Sequence, residues 1–253
     1  MLLFIDADVV AQHDLLPRVK NIFSGDPTLA AVFGSYDANP FEPDYLSQYR
    51  NLLHHYVHQM SKENASTFWC GCGAVRREVF EVTGGFDSGR YRQPSIEDVE
   101  FGRRLRRNGL KIRLDKSLQV KHLKRWNVRS VLRTDFIHRA LPWTELILED
   151  GWIDNDLNTS VSNRVSVITV FVLVISVATV PLRPEALVSC VLSVAVLIGL
   201  NWRFYAFLVS KRGPFFALRT LPWHWCQFLS SGIAFAVGFF RHVFRKVTIR
   251  HVC

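Results

Sequence analysis

Two carboxylates one residue apart, Asp6 and Asp8, follow the apolar run Leu2-Leu3-Phe4-Ile5. A buried strand ending in Asp-Ala-Asp sets both at its C-terminal edge, where they can share a hard divalent cation, Mg2+ or Mn2+. Such a cation neutralises a departing diphosphate. Plain turn carboxylates at a strand end fit the same spacing. A second acidic pair, Glu97-Asp98, opens a helical stretch. Carboxylates there are kept ionised by the helix N-terminus, and one held in a cleft can take the proton of an attacking hydroxyl. Complementation of the helix dipole alone is the bland alternative. Between the pairs lies Phe68-Trp69-Cys70-Gly71-Cys72-Gly73-Ala74. Gly71 and Gly73 allow close backbone approach to a ligand, and Trp69 suits a sugar face. Gly84-Gly85-Phe86-Asp87 reads as a tight turn with Asp87 facing a ligand. His122-Leu123-Lys124-Arg125-Trp126 offers Arg125 to a diphosphate with the Trp126 indole beside it, or is a juxtamembrane basic stretch. His54, His55 and His58 have a zinc-like spacing but no nearby Cys or acidic third ligand, so a helix surface or interface is the expectation.

These residues need an α/β scaffold to bring them together. Strands are expected at Leu2–Ile5, Leu29–Phe33 and Lys111–Leu114. Helices are expected from Leu15 to Phe23, Tyr45 to Met60, around Arg76–Val82, and from Glu97 to Asn108 with Gly109 closing the last. Alternating strands and helices argue for a layered α/β fold. Val128 to Leu141 follows as an amphipathic helix. Val128, Val131, Leu132, Phe136, Ile137, Ala140 and Leu141 lie on one face, and Arg129, Arg133, His138 and Arg139 on the other. It fits a helix lying on a membrane with arginines toward lipid phosphates, or an ordinary surface helix.

Charge divides the 253 residues. Lys plus Arg number 31 against 22 Asp plus Glu, a net of +9. Residues 1–150 carry 21 and 19, and residues 151–253 carry 10 and 3, so the excess belongs to the second part. That part holds charge-sparse apolar blocks near 163–182, 186–208 and 220–240. A span needs roughly 20 apolar residues, so the first two read as a tight transmembrane hairpin across Arg183-Pro184-Glu185. The third, with His224, Gln227, Ser230 and Ser231, spans, re-enters or packs on the others. Basic residues between the charge-free core of the second block, which ends at Trp202, and the third block (Arg203, Lys211, Arg212, Arg219) favour a cytoplasmic loop, whereas Arg241, Arg245, Lys246 and Arg250 would oppose that assignment if the third block spans. The pattern suits membrane flanks better than a nucleic-acid face, and no nucleic-acid partner is expected. The cysteines Cys70, Cys72, Cys190, Cys226 and Cys253 form no disulfide framework, which implies reduced thiols and a cytosolic head. Met1 runs into Leu2 without a basic n-region or cleavage site, so no signal peptide is expected.

Taken in order, Asp-Ala-Asp, Trp-Cys-Gly-Cys-Gly-Ala with a following Arg-x-x-x-Phe, Gly-Gly-Phe-Asp, Glu-Asp at a helix start, x-x-Arg-Trp and then apolar helices resemble a membrane-bound family 2 glycosyltransferase of GT-A fold. The resemblance covers about residues 1–145. It implies a partial GT-A, Rossmann-like domain at 1–145 with an interfacial helix at 128–141, followed by a helical membrane region at 160–253. It implies hexosyl transfer, with inversion, from a nucleotide-diphospho-sugar to a lipid, lipid-linked or polysaccharide acceptor, by an integral protein of the inner or plasma membrane whose catalytic head is cytoplasmic. Asp98 is then the catalytic base. Asp6 and Asp8 bind the Mg2+ or Mn2+ and the donor diphosphate, Asp8 being the more direct ligand, and Arg125 contacts the diphosphate. Trp69, Gly71, Gly73, Asp87, Glu97 and Trp126 lie on the acceptor and sugar side. His122 stands where processive members carry Gln. The family places a nucleotide-binding strand–helix–strand unit ahead of its Asp-x-Asp, so the chain reads as a fragment corresponding to the C-terminal portion of such an enzyme. Two other readings stand beside this one. One is a truncated, inactive membrane relative that acts as a binding protein. The other is a haloacid-dehalogenase-like phosphatase, which also opens with a hydrophobic strand and Asp-x-Asp-x-Val and would use Asp6 as nucleophile.

Overall fold

The computed structural model describes residues 1–93 and 95–250, the side chains of 245–250 excepted. Cys253 and the side chains of Arg245, Lys246 and Arg250 therefore lie outside the described residues. The chain divides into two units, Met1–Ser130 and Val131–Cys253.

The first unit is a mixed α/β layer. Its elements run β1 (Leu2–Ile5), β2 (Val9–Ala11), α1 (Leu15–Gly25), β3 (Leu29–Tyr36), α2 (Tyr45–Met60), β4 (Cys72–Val75), α3 (Arg77–Val82), α4 (Glu97–Arg107) and β5 (Lys111–His122). The sheet order is β1-β4-β3-β5-β2. β3 pairs with β5 in parallel, and β4 lies antiparallel to both β1 and β3, so β1, β3 and β5 point the same way. All eight residues of β3 are buried, as expected of a strand covered on both faces. One face packs on α1 through Leu15, Val19 and Phe23 with Val32, Tyr36, Leu118 and Val120. The other packs Ala31, Phe33 and Val75 on Phe68, Phe101 and Leu105. Phe4, Phe80, Phe86 and Phe101 extend that second face, with ring centroids 5.1 to 5.4 Å apart. Tilted and edge-on aromatic pairs of this kind each stabilise by about 0.5–1.5 kcal/mol beyond their burial.

The observed elements depart from the expected ones in ways that matter for the site. The aromatic, glycine-rich run at 68–74, to which no strand was assigned, leads into one, because Cys72 to Val75 pairs with β1 on one side and β3 on the other. β5 reaches His122 instead of stopping at Leu114, and β2 pairs with its last residues, Val9 opposite His122 and Ala11 opposite Val120. β1 and β2 therefore lie at opposite margins of the sheet while Asp6-Ala7-Asp8 alone joins them. The link crosses the end of the sheet where β1, β3 and β5 terminate.

From α5 (Val128–Arg133) the chain continues helically through a π-helical stretch, Thr134–Ala140, into α6 (Leu141–Asp150). The amphipathic element thus extends beyond 141. Val131 is buried, whereas Val128, Leu132 and Ile137 are exposed among exposed Arg129, Arg133 and Arg139. The second unit then runs α7 (Val161–Thr179), α8 (Ala186–Leu200), α9 (Trp202–Arg212) and α10 (Pro214–Arg250). Among the described residues one helix, α7, is long and apolar enough to cross a membrane, and the pair α8–α9 would supply a second if taken as one broken span. The block expected as a single segment at 186–208 is in fact bent by 67° between α8 and α9. Asn201 occupies the break and donates from Nδ2 to Ser166 Oγ at 3.0 Å and to Leu197 O at 2.9 Å. The block at 220–240 lies within α10, which continues through Pro222. The four described cysteines are free thiols.

Candidate active site

The site forms at the end of the sheet where the parallel strands terminate, the edge at which open α/β sheets bind ligands. Pairing of Ile5 with Cys72 brings Asp6 opposite Gly71, and the Asp6 amide donates to Gly71 O at 3.3 Å. A turn closes next, with Val9 N on Asp6 O. Asp8 is then anchored on β5's exit, where Leu123 N donates to Asp8 O at 2.8 Å. Both residues are half-buried and fixed through their main chains.

Asp98 arrives from the first turn of α4, whose N-terminal residues Glu97, Asp98 and Glu100 are acidic. Its Oδ2 accepts from the Cys70 amide at 3.1 Å and its Oδ1 from the Val99 amide at 2.7 Å. Burial pushes the Asp98 carboxyl up to about 6; the Cys70 and Val99 amides pull it down, and the charge of Glu97 adds to the rise. Cys70 is the meeting point of the two acidic groups, since its Sγ lies 4.0 Å from Asp6 Oδ1 while its amide holds Asp98. Burial, reinforced by the charges of Asp98, Asp6 and Glu97, drives the Cys70 thiol far above its usual range. Burial also pushes Cys72 up to about 12. Neither sulfur is a nucleophile near neutral pH.

Trp69 is half-buried within an aromatic and imidazole group that sequence reasoning did not assemble. Its ring lies 5.0 Å from Tyr36, 4.7 Å from His54 and 5.3 Å from His58. Tyr36 in turn stacks on His122 at 4.0 Å with a 14° interplanar angle. His55 and His58 are buried with Nδ1 at 2.7 Å from Tyr36 O and 3.0 Å from Gly34 O, which makes them α2-to-β3 ties. The faint hint was the i, i+4 spacing of His54 and His58, which puts both on one helix face. Gly71 is required by its neighbours: a Cβ there would come within 2.9 Å of Asp6 Oδ2 and closer still to the Trp69 indole. Gly73 sits in β4 beneath the Phe68 ring.

The remaining expected residues fall in several places. Glu97 is half-buried, and its Oε2 accepts from Ser95 N at 2.7 Å. Asp87 is exposed and caps its own loop by accepting from Arg90 N at 2.9 Å. That loop is tied to α4, because Arg104 Nη2 donates to Gly85 O at 2.6 Å while pairing with Glu100 at 2.9 Å. Arg125 is exposed and makes no hydrogen bond or ion pair among the described residues. The cation beside the carboxylates is Lys124, with Nζ 3.7 Å from Asp8 Oδ2; His122 Nε2 lies 3.9 Å from the same oxygen. Trp126 is buried under Arg50 and Lys124, 5.3 and 4.7 Å from its ring centroid, and its indole N–H has no hydrogen-bond partner among the described residues.

Two carboxylates are fewer oxygens than a hard cation requires, and no group of three or more His, Cys, Asp or Glu suited to a metal occurs among the described residues. Mg2+ or Mn2+ on Asp6 and Asp8 would need its remaining oxygens from phosphates and water. No family model matches this chain, and no curated protein matches it.

Proposed function

We propose that the chain carries out inverting hexosyl transfer from a nucleotide-diphospho-sugar to a lipid, lipid-linked or polysaccharide acceptor, as part of a membrane-bound family 2 glycosyltransferase of GT-A type. The observation that carries the reading is the Cys70 hinge point, which gathers Asp6 and Asp98 at the carboxyl end of three parallel strands. Asp98 takes the proton of the acceptor hydroxyl as its oxygen attacks the anomeric carbon. The bond from that carbon to the diphosphate breaks, and its electron pair leaves with the diphosphate on the opposite face. A buried carboxylate whose pKa is brought toward neutrality is a better-matched base than an exposed one, and it remains mostly ionised at pH 7. Asp6 and Asp8 would hold the Mg2+ or Mn2+, which when bound supplies charge neutralisation to the leaving diphosphate. Association with a membrane, and with it a lipid acceptor, is supported by the apolar helix α7 and by exposed apolar residues such as Ile168, Ile175 and Val177 along it, and a cytoplasmic first unit in the inner or plasma membrane by the basic residues Arg203, Lys211, Arg212 and Arg219.

Membranes containing the full chain, incubated with radiolabelled nucleotide-diphospho-hexoses and Mg2+ or Mn2+, are expected to transfer label to lipid or polysaccharide. Asp98→Asn should lower transfer to a hydroxyl acceptor by about 10²- to 10⁴-fold while donor binding persists. Absence of both transfer and donor binding would favour a binding protein instead. Accumulation of a phosphoaspartate at Asp6, with release of inorganic phosphate, would favour a phosphatase.

A further inference from the structure

Asp8 is approached by an imidazole and an ammonium that differ in their freedom to leave. His122 is buried, set in register opposite Val9, and stacked on Tyr36. Lys124 is 45 % exposed, one residue beyond the Leu123 amide that anchors Asp8, and its ammonium rests between Asp8 Oδ2 and the face of Trp126. A flexible, compact point charge on a four-carbon stem is the side chain best able to exchange partners. We infer that Lys124 is the resident counter-ion of Asp8 and that it trades places with the divalent cation: the ion takes Asp8 only when a diphosphate arrives to receive the Lys124 ammonium. This rests on the glycosyltransferase reading for the identity of the diphosphate and makes the site respond to cation and donor together.

The reasoning is electrostatic. While Lys124 neutralises Asp8, a divalent cation meets one effective carboxylate, Asp6, and the repulsion of an ammonium. A diphosphate brings negative charge that pairs with Lys124 and supplies the oxygens the cation lacks. Each ligand then raises the affinity for the other, and by linkage the effect is reciprocal. Arg125, the residue expected at the diphosphate, has no such contact with Asp8 and plays no part in the exchange.

The test measures Mn2+ binding by electron paramagnetic resonance and inorganic pyrophosphate binding by calorimetry, on the full chain in detergent. Lys124→Met keeps the stem against Trp126 and removes the charge. It is expected to bind Mn2+ alone about two- to fivefold more tightly, the range of one exposed ion pair. It should also bind pyrophosphate in the presence of Mn2+ more weakly than the unmodified protein. Lys124→Arg should stay near the unmodified protein in both, and Asp8→Asn should erase the gain in Mn2+ affinity. The inference is overturned if Lys124→Met leaves Mn2+ affinity unchanged or lowers it, if the gain persists in Asp8→Asn, or if neither protein binds Mn2+. None of these readings requires sugar transfer. A chain that shows the exchange but transfers no hexose refutes only the proposed function; one that transfers hexose while Lys124→Met leaves both affinities unchanged refutes only the exchange.

Discussion

At the scale of single residues, Asp98 carries the clearest prediction. Its carboxyl is raised by burial from 3.8 to about 6, so ionisation is harder in the folded chain than in the unfolded one. The associated stability is complete below pH 3.8 and is lost as pH rises through about 6. A shift of this size costs on the order of 2–3 kcal/mol at pH 8. Asp98→Asn should remove that slope, so the difference in unfolding midpoint between variant and parent is expected to grow in the variant's favour from pH 4 to pH 8. A difference that stays flat across this range would show that the burial cost is not borne by Asp98. In the same variant, transfer to a hydroxyl acceptor should fall by about 10²- to 10⁴-fold, the usual contribution of a positioned base. The cysteines give a second prediction. With both thiols held far from ionisation, Cys70 and Cys72 should resist iodoacetamide at pH 8 in the folded protein and react once denaturant is added, as read by mass spectrometry. The types of Asp6, Asp8 and Asp98 could be read as chemistry directly from the sequence. Which cation faces Asp8 could not, since Lys124 and Arg125 are adjacent and only the exit angle from β5 separates them.

At the scale of elements, α2 and α4 could be read from periodicity and from the acidic start of α4, because both satisfy local rules. β4 could not. Cys72-Gly73-Ala74-Val75 has only one β-branched residue, and its strand state comes from partners tens of residues away in β1 and β3. The bend at Asn201 was hidden for a different reason: residues 186–208 form one apolar run with Arg203 as its only charge, and apolar composition carries no information about chain direction. Two substitutions probe how elements hold the site. Gly71→Ala must displace Trp69 or Asp6, so the intrinsic tryptophan fluorescence should change together with loss of transfer. Arg104→Met removes the tie between α4 and the Gly84-Gly85 turn, with an expected cost of about 1.5–3 kcal/mol for hydrogen bonds involving a charged donor. Amide hydrogen exchange should accelerate over residues 83–91 in that variant while α1 and β3 remain protected.

At the scale of the whole molecule, the division into Met1–Ser130 and Val131–Cys253 follows the chemistry of the chain, with most of its charged residues in the first part and the apolar helices in the second. Apolar side chains along α7 and α8, including Leu187, Val188, Val191 and Leu192, are exposed in far greater number than water-facing helices carry. The full chain is therefore expected to stay with membranes through alkaline carbonate extraction and to be released by detergent; release by carbonate alone would mean that these helices find protein rather than lipid. The placement of the Asp6-Ala7-Asp8 link has a further consequence for biosynthesis. Its flanking strands pair with Cys72–Val75 on one side and with Val120–His122 on the other. Asp6 cannot be seated until residues 71–75 have been made, nor Asp8 until Leu123, which lies near the end of the first unit. The Asp6-Ala7-Asp8 link is therefore fixed at both of its ends only after translation has passed Leu123.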